Sequence, residues 1–285
     1  MGLAPRVLLK NTAGFDLVTV QSGARSLRSR EHGETFHPVV GPMIEAVGLH
    51  VRQQRLVERA ECSAHSPFVI WDVGLGAAAN AIAAIEAFAG SDACVELHSF
   101  DRTLEPLAFA IEHAEALEYL APHVEAAKRL IAGGEGRGAL RWIFHGGEFC
   151  ERMLSAPVPD AILYDPYSPR ANPELWTLEH FTQLHACLDP ERACLLTNYT
   201  RSTAVRVTLL LAGFFIGNGH ATGEKDQTTI AANRPGLLED PLDADWLRRV
   251  ERSTRSAPLR TAGGEVLIRP DELAALRAHP QFLRP

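Results

Sequence analysis

The chain has 285 residues, a formal net charge of −7, 46% apolar residues and 22% charged residues. This length suits one large α/β domain, or one domain with an appendage, and the composition is ordinary for a globular protein. Nucleic-acid-binding domains usually carry a basic balance. The acidic charge therefore argues against a purely electrostatic grip on RNA, although it leaves room for a local basic patch.

Membrane-directing segments are not evident in the sequence. No uninterrupted apolar run approaches the ~20 residues that span a bilayer, and the first ten residues lack the apolar core of a signal peptide. We therefore expect a cytoplasmic protein that does not bind membranes. The five cysteines form no C-x-x-C pair and the twelve histidines show no H-E-x-x-H spacing, so we predict neither a disulfide framework nor a metal site.

The first predicted elements lie in an N-terminal extension of about 65 residues. Phe15–Val20 has the pattern of a short strand, and Ser26–Phe36 that of a polar connection. Val39–Val57 carries apolar residues at helical spacing, although two glycines weaken its start.

From Phe68 onward, predicted strands alternate with predicted helices. The strands are Phe68–Val73, Val95–Phe100, Leu140–Phe144, Ala161–Tyr164 and Ala193–Asn198. The helices are Ala77–Phe88, Glu105–Leu117, Tyr119–Ile131, Glu148–Leu154, Pro173–Leu188 and Ser202–Leu211. A final pair, Phe214–Gly217 and Thr228–Ala232, has the pattern of an antiparallel hairpin. This order predicts an α/β fold with a mostly parallel sheet and helices on both faces.

The segment F-V-I-W-D-V-G-L-G-A-A-A-N, residues 68–80, predicts a buried strand, a tight turn and a helix. In such a turn, Gly74 and Gly76 let the backbone approach a nucleotide-like ligand closely, and the helix N–H groups face that ligand. The strand-end acid Asp72 is suited to hold polar groups of the ligand. A glycine turn that serves only packing explains the same residues.

Ligands of parallel sheets bind beyond the carboxyl ends of the strands, so the strand ends form a list of candidate site residues. Asp101 ends the second strand, where an acid can accept both hydroxyls of a ribose. It is equally suited to cap a helix that begins near Thr103. His145 to Glu148 follow the third strand. Glu148 is also favourable beside a helix N-terminus without any ligand.

The segment Tyr164–Trp176, Y-D-P-Y-S-P-R-A-N-P-E-L-W, follows the fourth strand. Three prolines stiffen this loop, and Asp165 and Tyr167 bring a carboxylate beside an aromatic ring. This pair suits methyl transfer to an amine or a flat base, because the ring stacks on the acceptor and the carboxylate accepts its N–H. The alternative is a proline-stiffened strand-to-helix connection with Pro173 in the first helical turn.

Together these segments resemble the methyltransferase domain of the bacterial MnmC-type enzymes, which complete 5-methylaminomethyl-2-thiouridine in the tRNA anticodon. The similarity runs from about Ser26 to Asn233. The family's glycine turn, approximately acid-x-G-F-G-T-G-x-N-F, is matched here by D-V-G-L-G-A-A-A-N-A, with Ala78 in place of the third glycine. Its most specific motif, approximately L-D-G-F-A-P-x-x-N-P-x-x-W, corresponds to Tyr164–Trp176.

The resemblance implies a class I, Rossmann-like methyltransferase fold that uses S-adenosyl-L-methionine (SAM) as its methyl donor. It implies an acceptor on tRNA, the aminomethyl group of a wobble uridine, with Asp165 near the amine. With Tyr167, Asp165 makes the expected catalytic pair. The expected cofactor-binding residues are Asp72, Gly74, Gly76, Asn80, Asp101, Glu148 and Asp165.

Two further residues depart from the family's pattern. Pro166 replaces a glycine beside Asp165, and Gly147 lies where the family tends to have an acid near the adenine, which leaves Glu148 as the substitute. At 285 residues, the chain is not expected to include the flavin-dependent oxidase domain that is fused to some members. Any oxidative step on a carboxymethyl precursor is therefore expected to need a separate oxidase partner.

Three parts of the chain are expected. Residues 1–65 form an N-terminal extension packed on the core, residues 66–235 the methyltransferase domain, and residues 236–285 a C-terminal appendage with a short helix, Asp271–His279. Two other functions remain open: a methyltransferase for a small-molecule or protein acceptor, which the acidic charge favours, and a non-catalytic SAM-binding module.

Overall fold

The computed structural model describes residues 14–137, 140–222, 226–262 and 266–283. Its strands are β1 (Phe15–Thr19), β2 (Arg25–Ser29), β3 (Phe68–Val73), β4 (Val95–Asp101), β5 (Gly136–Arg137), β6 (Arg141–Gly146), β7 (Ala161–Tyr164), β8 (Leu195–Asn198), β9 (Phe215–Gly219) and β10 (Thr228–Ala232). Within the described residues, β1 and β2 form an antiparallel pair and the other strands form one sheet of eight.

The α-helices of the described residues are α1 (Pro42–Ala46), α2 (Leu56–Glu61), α3 (Ala79–Ala87), α4 (Glu105–Glu112), α5 (Ala114–Leu117), α6 (Val124–Ile131), α7 (Phe149–Arg152), α8 (Leu178–Ala186), α9 (Thr203–Leu211), α10 (Ala244–Arg252) and α11 (Pro270–Arg277). Shorter turns of 3₁₀-helix cover Ala121–His123, Met153–Ser155 and Pro173–Trp176, and Val47–Arg52 is π-helical. No helix in the described ranges is both long enough and apolar enough to cross a bilayer.

The large sheet has the strand order β5-β6-β4-β3-β7-β8-β10-β9. The five strands from β6 to β8 in this order run parallel, whereas β10 pairs antiparallel with β8 and with β9. The chain leaves β3 towards one edge of the sheet and later returns to β7 on its other side. This reversal opens a crevice at the carboxyl ends of β3 and β7, where ligands bind in doubly wound sheets.

Two apolar layers cover the sheet, one on each face. Ile70 of β3 packs with Ile82 of α3 in one layer, and Trp71 packs with Phe181 of α8 in the other. Successive strand residues point to opposite faces, so β3 is buried on both sides. The predicted α/β fold, with helices on both faces and a final antiparallel hairpin, is confirmed.

The N-terminal extension differs from its predicted form. The prediction of a polar connection over Ser26–Phe36 was wrong at its start, since Arg25–Ser29 is a strand paired with β1. Leu27 is fully buried, and Gly23, at φ +89°, makes the turn between the two strands. One apolar residue among polar neighbours gave too little periodicity to indicate a strand.

The predicted helix over Val39–Val57 is broken into three pieces. Arg55 has left-handed backbone, at φ +50°, and separates α2 from the π-helical segment Val47–Arg52. The Nδ1 atom of His50 lies 2.7 Å from the hydroxyl of Thr197 on β8, and the Gln54 amide donates to the same hydroxyl at 2.7 Å. These contacts with a distant strand outweigh the local helical pattern.

Capping residues explain two other differences between the predicted and the observed helices. The predicted helix Pro173–Leu188 begins only at Leu178, because Thr177 is extended and its hydroxyl accepts the His180 N–H at 3.2 Å. Helix α10 was not predicted; its N-cap Asp243 accepts the Trp246 N–H at 2.8 Å. Trp246, with Leu247, Val250 and Leu276, packs in the same apolar layer as Trp71.

The three-part division of the chain stays a prediction.

Candidate active site

A cavity of about 590 Å³ opens at the carboxyl ends of β3, β4 and β7. Most of its lining residues come from within the segments 29–38, 73–80, 100–106, 147–149 and 165–168. Of the expected catalytic and cofactor-binding residues, all except Asp72 line it. Residues far apart in the sequence thus meet at the crevice that the topology predicts.

Asp165 and Asn80 meet where two strand-end loops pack together. The Asn80 amide donates to Oδ2 of Asp165 at 2.8 Å. Gly74 has φ +90°, and a Cβ on it would lie 2.8 Å from the carbonyl oxygen of Asp165. Glycine is therefore required at position 74 for the glycine turn to touch the Asp165 loop.

Asp101 is tied to the glycine turn. Its Oδ2 accepts the Gly76 N–H at 3.0 Å, and Oδ1 faces the Thr103 N–H at 3.5 Å. Burial raises the pKa of Asp101 above its ordinary value, against these hydrogen bonds. The alternative of a helix cap was wrong, because α4 begins at Glu105 and Leu104 occupies its N-cap position.

Ala78 keeps the backbone conformation of a glycine. It stands at the N-cap of α3 with φ +65° and ψ +21°, in the left-handed region. An L-residue in this region is strained by roughly 1–2 kcal/mol. Ala78 therefore holds a backbone conformation that glycine adopts without strain, and the turn carries that strain.

Asp72 lies inside the sheet and does not line the cavity. Its Oδ2 accepts the Ser99 hydroxyl at 2.7 Å, and the Trp142 indole N–H donates to Ser99 at 2.9 Å. The carboxyl group is fully buried, and burial raises the pKa of Asp72 to about 7. Its expected contact with a ligand stays a prediction, while the structure shows this group bonded within the core.

Glu148 lies at the outer rim of the cavity. It is the N-cap residue of α7, and the Nε and Nη2 atoms of Arg102 both donate to its Oε2 at 3.0 Å. Its side chain is 45% exposed. His145, from the same predicted segment, does not line the cavity; its Nε2 lies 2.8 Å from Nδ1 of His98, and burial lowers the pKa of His145 to about 4.

Tyr167 presents its ring between two others. The centroid of His32 lies 4.3 Å from the Tyr167 ring and that of Phe36 5.6 Å away. The Trp176 indole N–H donates to the Tyr167 carbonyl at 2.8 Å, so the motif's tryptophan anchors the loop. Burial raises the pKa of Tyr167 above its ordinary value, which keeps the phenol neutral.

One wall of the cavity was not predicted from the sequence. The segment 29–45 of the N-terminal extension reaches across to the Asp165 loop, and we call it the N-terminal wall. Glu34 accepts the Ser168 N–H at 3.1 Å, and Nε2 of His37 lies 3.8 Å from Oδ2 of Asp165. The signal in the sequence was the family resemblance, which begins at about Ser26 and so includes this segment.

Comparison with known proteins defines the class. Residues 151–234 match a family model described as S-adenosyl-L-methionine-dependent methyltransferase. This segment contains the Asp165 loop and both antiparallel strands. Together with the fold, the match identifies the chain as a SAM-dependent methyltransferase.

The chain also resembles MnmC-type proteins, as expected from its motifs. It is 27% identical over 237 residues to the tRNA 5-methylaminomethyl-2-thiouridine biosynthesis bifunctional protein MnmC of Pseudomonas putida, covering 78% of this chain and 35% of the relative. It is 34% identical over 160 residues to the MnmC of Ralstonia nicotianae, covering 52% and 24% of the two chains. The chain thus spans about a third of the length of the first of these relatives and about a quarter of the length of the second.

A solved structure shares the fold. The crystal structure of MNMC2 from Aquifex aeolicus superposes with a TM-score of 0.69, covering 94% of this chain and 85% of that one, at 24% sequence identity. At this identity the similarity establishes the architecture alone.

The cavity has the chemistry that SAM requires. SAM carries ribose hydroxyls and amino groups that donate hydrogen bonds, and Asp101 and Glu148 offer carboxylate acceptors at the strand ends. The Oδ1 atom of Asn80 is buried and has no hydrogen-bond partner within the described residues. A Cβ on Gly76 would lie 3.1 Å from the Phe36 ring, so even a methyl group there would crowd that ring. These residues fit the cofactor.

Proposed function

We propose that this protein transfers a methyl group from SAM to the aminomethyl group of 5-aminomethyl-2-thiouridine at the wobble position of tRNA. The observation that carries the proposal is the Asp165 carboxylate, which lines the cavity beside the Tyr167 ring and is joined to the glycine turn through Asn80. The acceptor is inferred from the MnmC relatives, which are named for the biosynthesis of 5-methylaminomethyl-2-thiouridine in tRNA.

The cofactor would lie over the glycine turn. Gly74 and Gly76 would let the backbone come close to it, and Asp101 would accept the ribose hydroxyls. Glu148 would face the adenine, and the hydrogen bond from the Asn80 amide joins the helix after the glycine turn to Asp165. When bound, SAM supplies a methyl carbon bonded to a positively charged sulfur.

The acceptor nitrogen must be neutral to form the new N–C bond. Asp165 accepts an N–H of the acceptor, aligns its lone pair and receives the proton that the nitrogen loses, a contribution of typically 10²–10⁴-fold in rate. Tyr167 offers a flat ring on which a uracil can stack. Much of the remaining acceleration would come from holding the nitrogen, methyl carbon and sulfur in line.

Recognition of tRNA would depend on local charge, because the whole chain is acidic. Arg170 is exposed in the same loop as Asp165, and Arg28 and Arg201 are exposed as well. We place the reaction in the cytoplasm, where tRNA is modified. A separate oxidase would prepare the acceptor if it arises from a carboxymethyl precursor.

Labelled methyl transfer tests the proposal. SAM with a labelled methyl group is mixed with bulk tRNA that carries unmethylated 5-aminomethyl-2-thiouridine, and the tRNA is digested to nucleosides. Label in 5-methylaminomethyl-2-thiouridine is the expected result, with tRNA lacking the aminomethyl group as the control. If SAM binds in the same preparation but no label is transferred, the acceptor is a small molecule or a protein, or the chain is a non-catalytic SAM-binding module.

A further inference from the structure

His37 occupies an unusual position in the N-terminal wall. Its ring lies between two carboxylates, with Nδ1 3.7 Å from Oε2 of Glu45 and Nε2 3.8 Å from Oδ2 of Asp165. The side chain is only 11% exposed and lines the cavity. Neither composition nor spacing pointed to this residue.

The backbone at His37 is strained. Its φ is +46°, in the left-handed region, and Pro38 follows. Non-glycine residues in this region cost of order 1–3 kcal/mol and persist only where the surroundings hold them. The surrounding structure therefore holds His37 in a strained conformation, and this conformation places its ring between two carboxylates. We infer that the position of the ring has a functional role.

The charges that face His37 come from every element around it. They are Glu45 on α1, Asp165 after β7, Asp72 on β3 and His50 on the π-helical segment. Burial alone lowers the pKa of His37, but the interaction with Glu45 and the charges of Asp165 and Asp72 outweigh it and raise the pKa above its ordinary value. His50 is neutral near pH 7, because burial lowers the pKa of His50 to about 3.

We propose that His37 is a positioning residue for methyl transfer: as an imidazolium held by Glu45, it orients the Asp165 carboxylate and keeps it ionised. An adjacent cation favours the ionised form of a carboxylate, and only the ionised form can accept both an acceptor N–H and its proton. This role rests on the proposed function of Asp165. Because the pKa of His37 is raised, the cation is present below that raised pKa and is lost as the pH rises through it.

The first test needs no acceptor. The His37 ring is followed by NMR through a pH titration of the full-length protein, and we expect it to titrate above the ordinary value of about 6.5. Asp165→Asn and Glu45→Gln should each lower this midpoint by about one pH unit. If His37 titrates at or below its ordinary value, or if Asp165→Asn does not move it, the proposal is overturned whatever the acceptor is.

The second test is kinetic. His37→Gln should lower kcat about tenfold, within the usual range for acid–base groups and their supports, and should abolish the fall in rate at alkaline pH that loss of the imidazolium causes. His37→Lys, which keeps a cation, should recover part of kcat. Glu45→Gln should move the alkaline fall to lower pH.

The pH profile separates positioning from a merely structural role. If the role of His37 were merely structural, His37→Gln would lower the melting temperature, but its rate would still fall at alkaline pH as in the wild type. If His37→Gln is too unstable to assay, the Glu45→Gln profile decides alone. If the rate of Glu45→Gln falls at the same alkaline pH as that of the wild type, the proposal is overturned.

Discussion

Two aspartates bracket the four residues of β7, and their surroundings differ. At the amino end, Asp160 accepts the Val69 N–H at 2.7 Å and a forked pair of hydrogen bonds from Arg192. At the carboxyl end, Asp165 accepts the Asn80 amide at 2.8 Å and faces His37 across 3.8 Å. The side chain of Asp160 is 4% exposed and that of Asp165 15%.

The comparison distinguishes an aspartate that stabilises the fold, Asp160, from one that we propose takes part in the reaction, Asp165. Both ends of β7 open on cavities, of about 640 Å³ at Asp160 and about 590 Å³ at Asp165. A bidentate arginine and a backbone N–H fix the carboxylate of Asp160 in one geometry. Asp165 instead has side-chain partners that are themselves held by the cavity walls. We expect the amino end to govern stability and the carboxyl end to govern turnover.

The largest expected effect is on turnover. Asp165→Ala removes the group proposed to accept the amine proton, so single-turnover methyl transfer should fall about 10³-fold, within the range for general bases. Binding of SAM, measured by calorimetry, should be mostly retained. Asp160→Asn is the matched control at the other end of the strand. Unchanged turnover in Asp165→Ala would remove Asp165 from the mechanism.

The reverse result is expected for Asp160. Asp160→Asn leaves Arg192 without its anionic partner, and breaking a buried ion pair in this way should cost about 3 kcal/mol in the free energy of unfolding. Urea unfolding measures the loss. Turnover per folded molecule should stay at the wild-type level. A stable Asp160→Asn variant with impaired turnover would erase the distinction between the two ends.

A third aspartate links stability to pH. Because the pKa of Asp72 is raised to about 7 from 3.8, the folded protein holds a proton that the unfolded chain has lost. Stability should therefore decrease as the pH rises between these values, with a slope of up to about 1.4 kcal/mol per pH unit from this group. Asp72→Asn should remove that slope in urea unfolding at several pH values. An unchanged slope would assign the dependence to other groups.

The effect at Tyr167 should be smaller and confined to the acceptor. Tyr167→Ala removes a stacking surface worth roughly 1–3 kcal/mol per base, so KM for tRNA should rise about tenfold or more. Tyr167→Phe keeps the ring and should resemble the wild type. Equal losses in both variants would indicate that the hydroxyl, not the ring, is required.

The smallest effect concerns the strained turn. Ala78→Gly should raise the free energy of unfolding by about 0.5 kcal/mol, because relief of left-handed strain exceeds the entropy that glycine adds to the unfolded chain. Ala83→Gly, in the interior of α3, is the control and should lower it by about 1 kcal/mol. Destabilisation by both would show that the Ala78 methyl group contributes more through packing than it costs in strain.

Local sequence signals were sufficient for the sheet and for the acids at its strand ends. The alternation of apolar runs with helical periods predicts β3 and β7 with their observed bounds. Asp101 and Asp165 follow from those strands, because the carboxyl ends of parallel strands meet at one edge. For Asp72 the sequence held a further signal, because alternation along a strand places Asp72 on the same face as Ile70. In the structure, Ile70 packs against the helix layer on that face, so Asp72 also points into the core.

The N-terminal wall could not be predicted in the same way. His37 and Asp165 are brought together by the tertiary fold, and no periodicity in either segment indicates that contact. Glu45 faces His37 through a short helix whose start depends on a left-handed glycine, Gly41 at φ +91°. Such contacts depend on long-range packing, which local propensity does not encode.

The N-terminal wall also sets how a large substrate could gain entry. The interactions described between this wall and the Asp165 loop all involve side chains of the wall: Glu34 with Ser168, His37 with Asp165, and the rings of His32 and Phe36 with Tyr167. The sheet beneath is held by backbone hydrogen bonds. Segments joined through side-chain contacts open at lower free energy than strands joined by backbone hydrogen bonds inside a sheet. We therefore expect the side of the cavity formed by the N-terminal wall to open at lower free energy than the sheet, whose strands hold the aspartates in register.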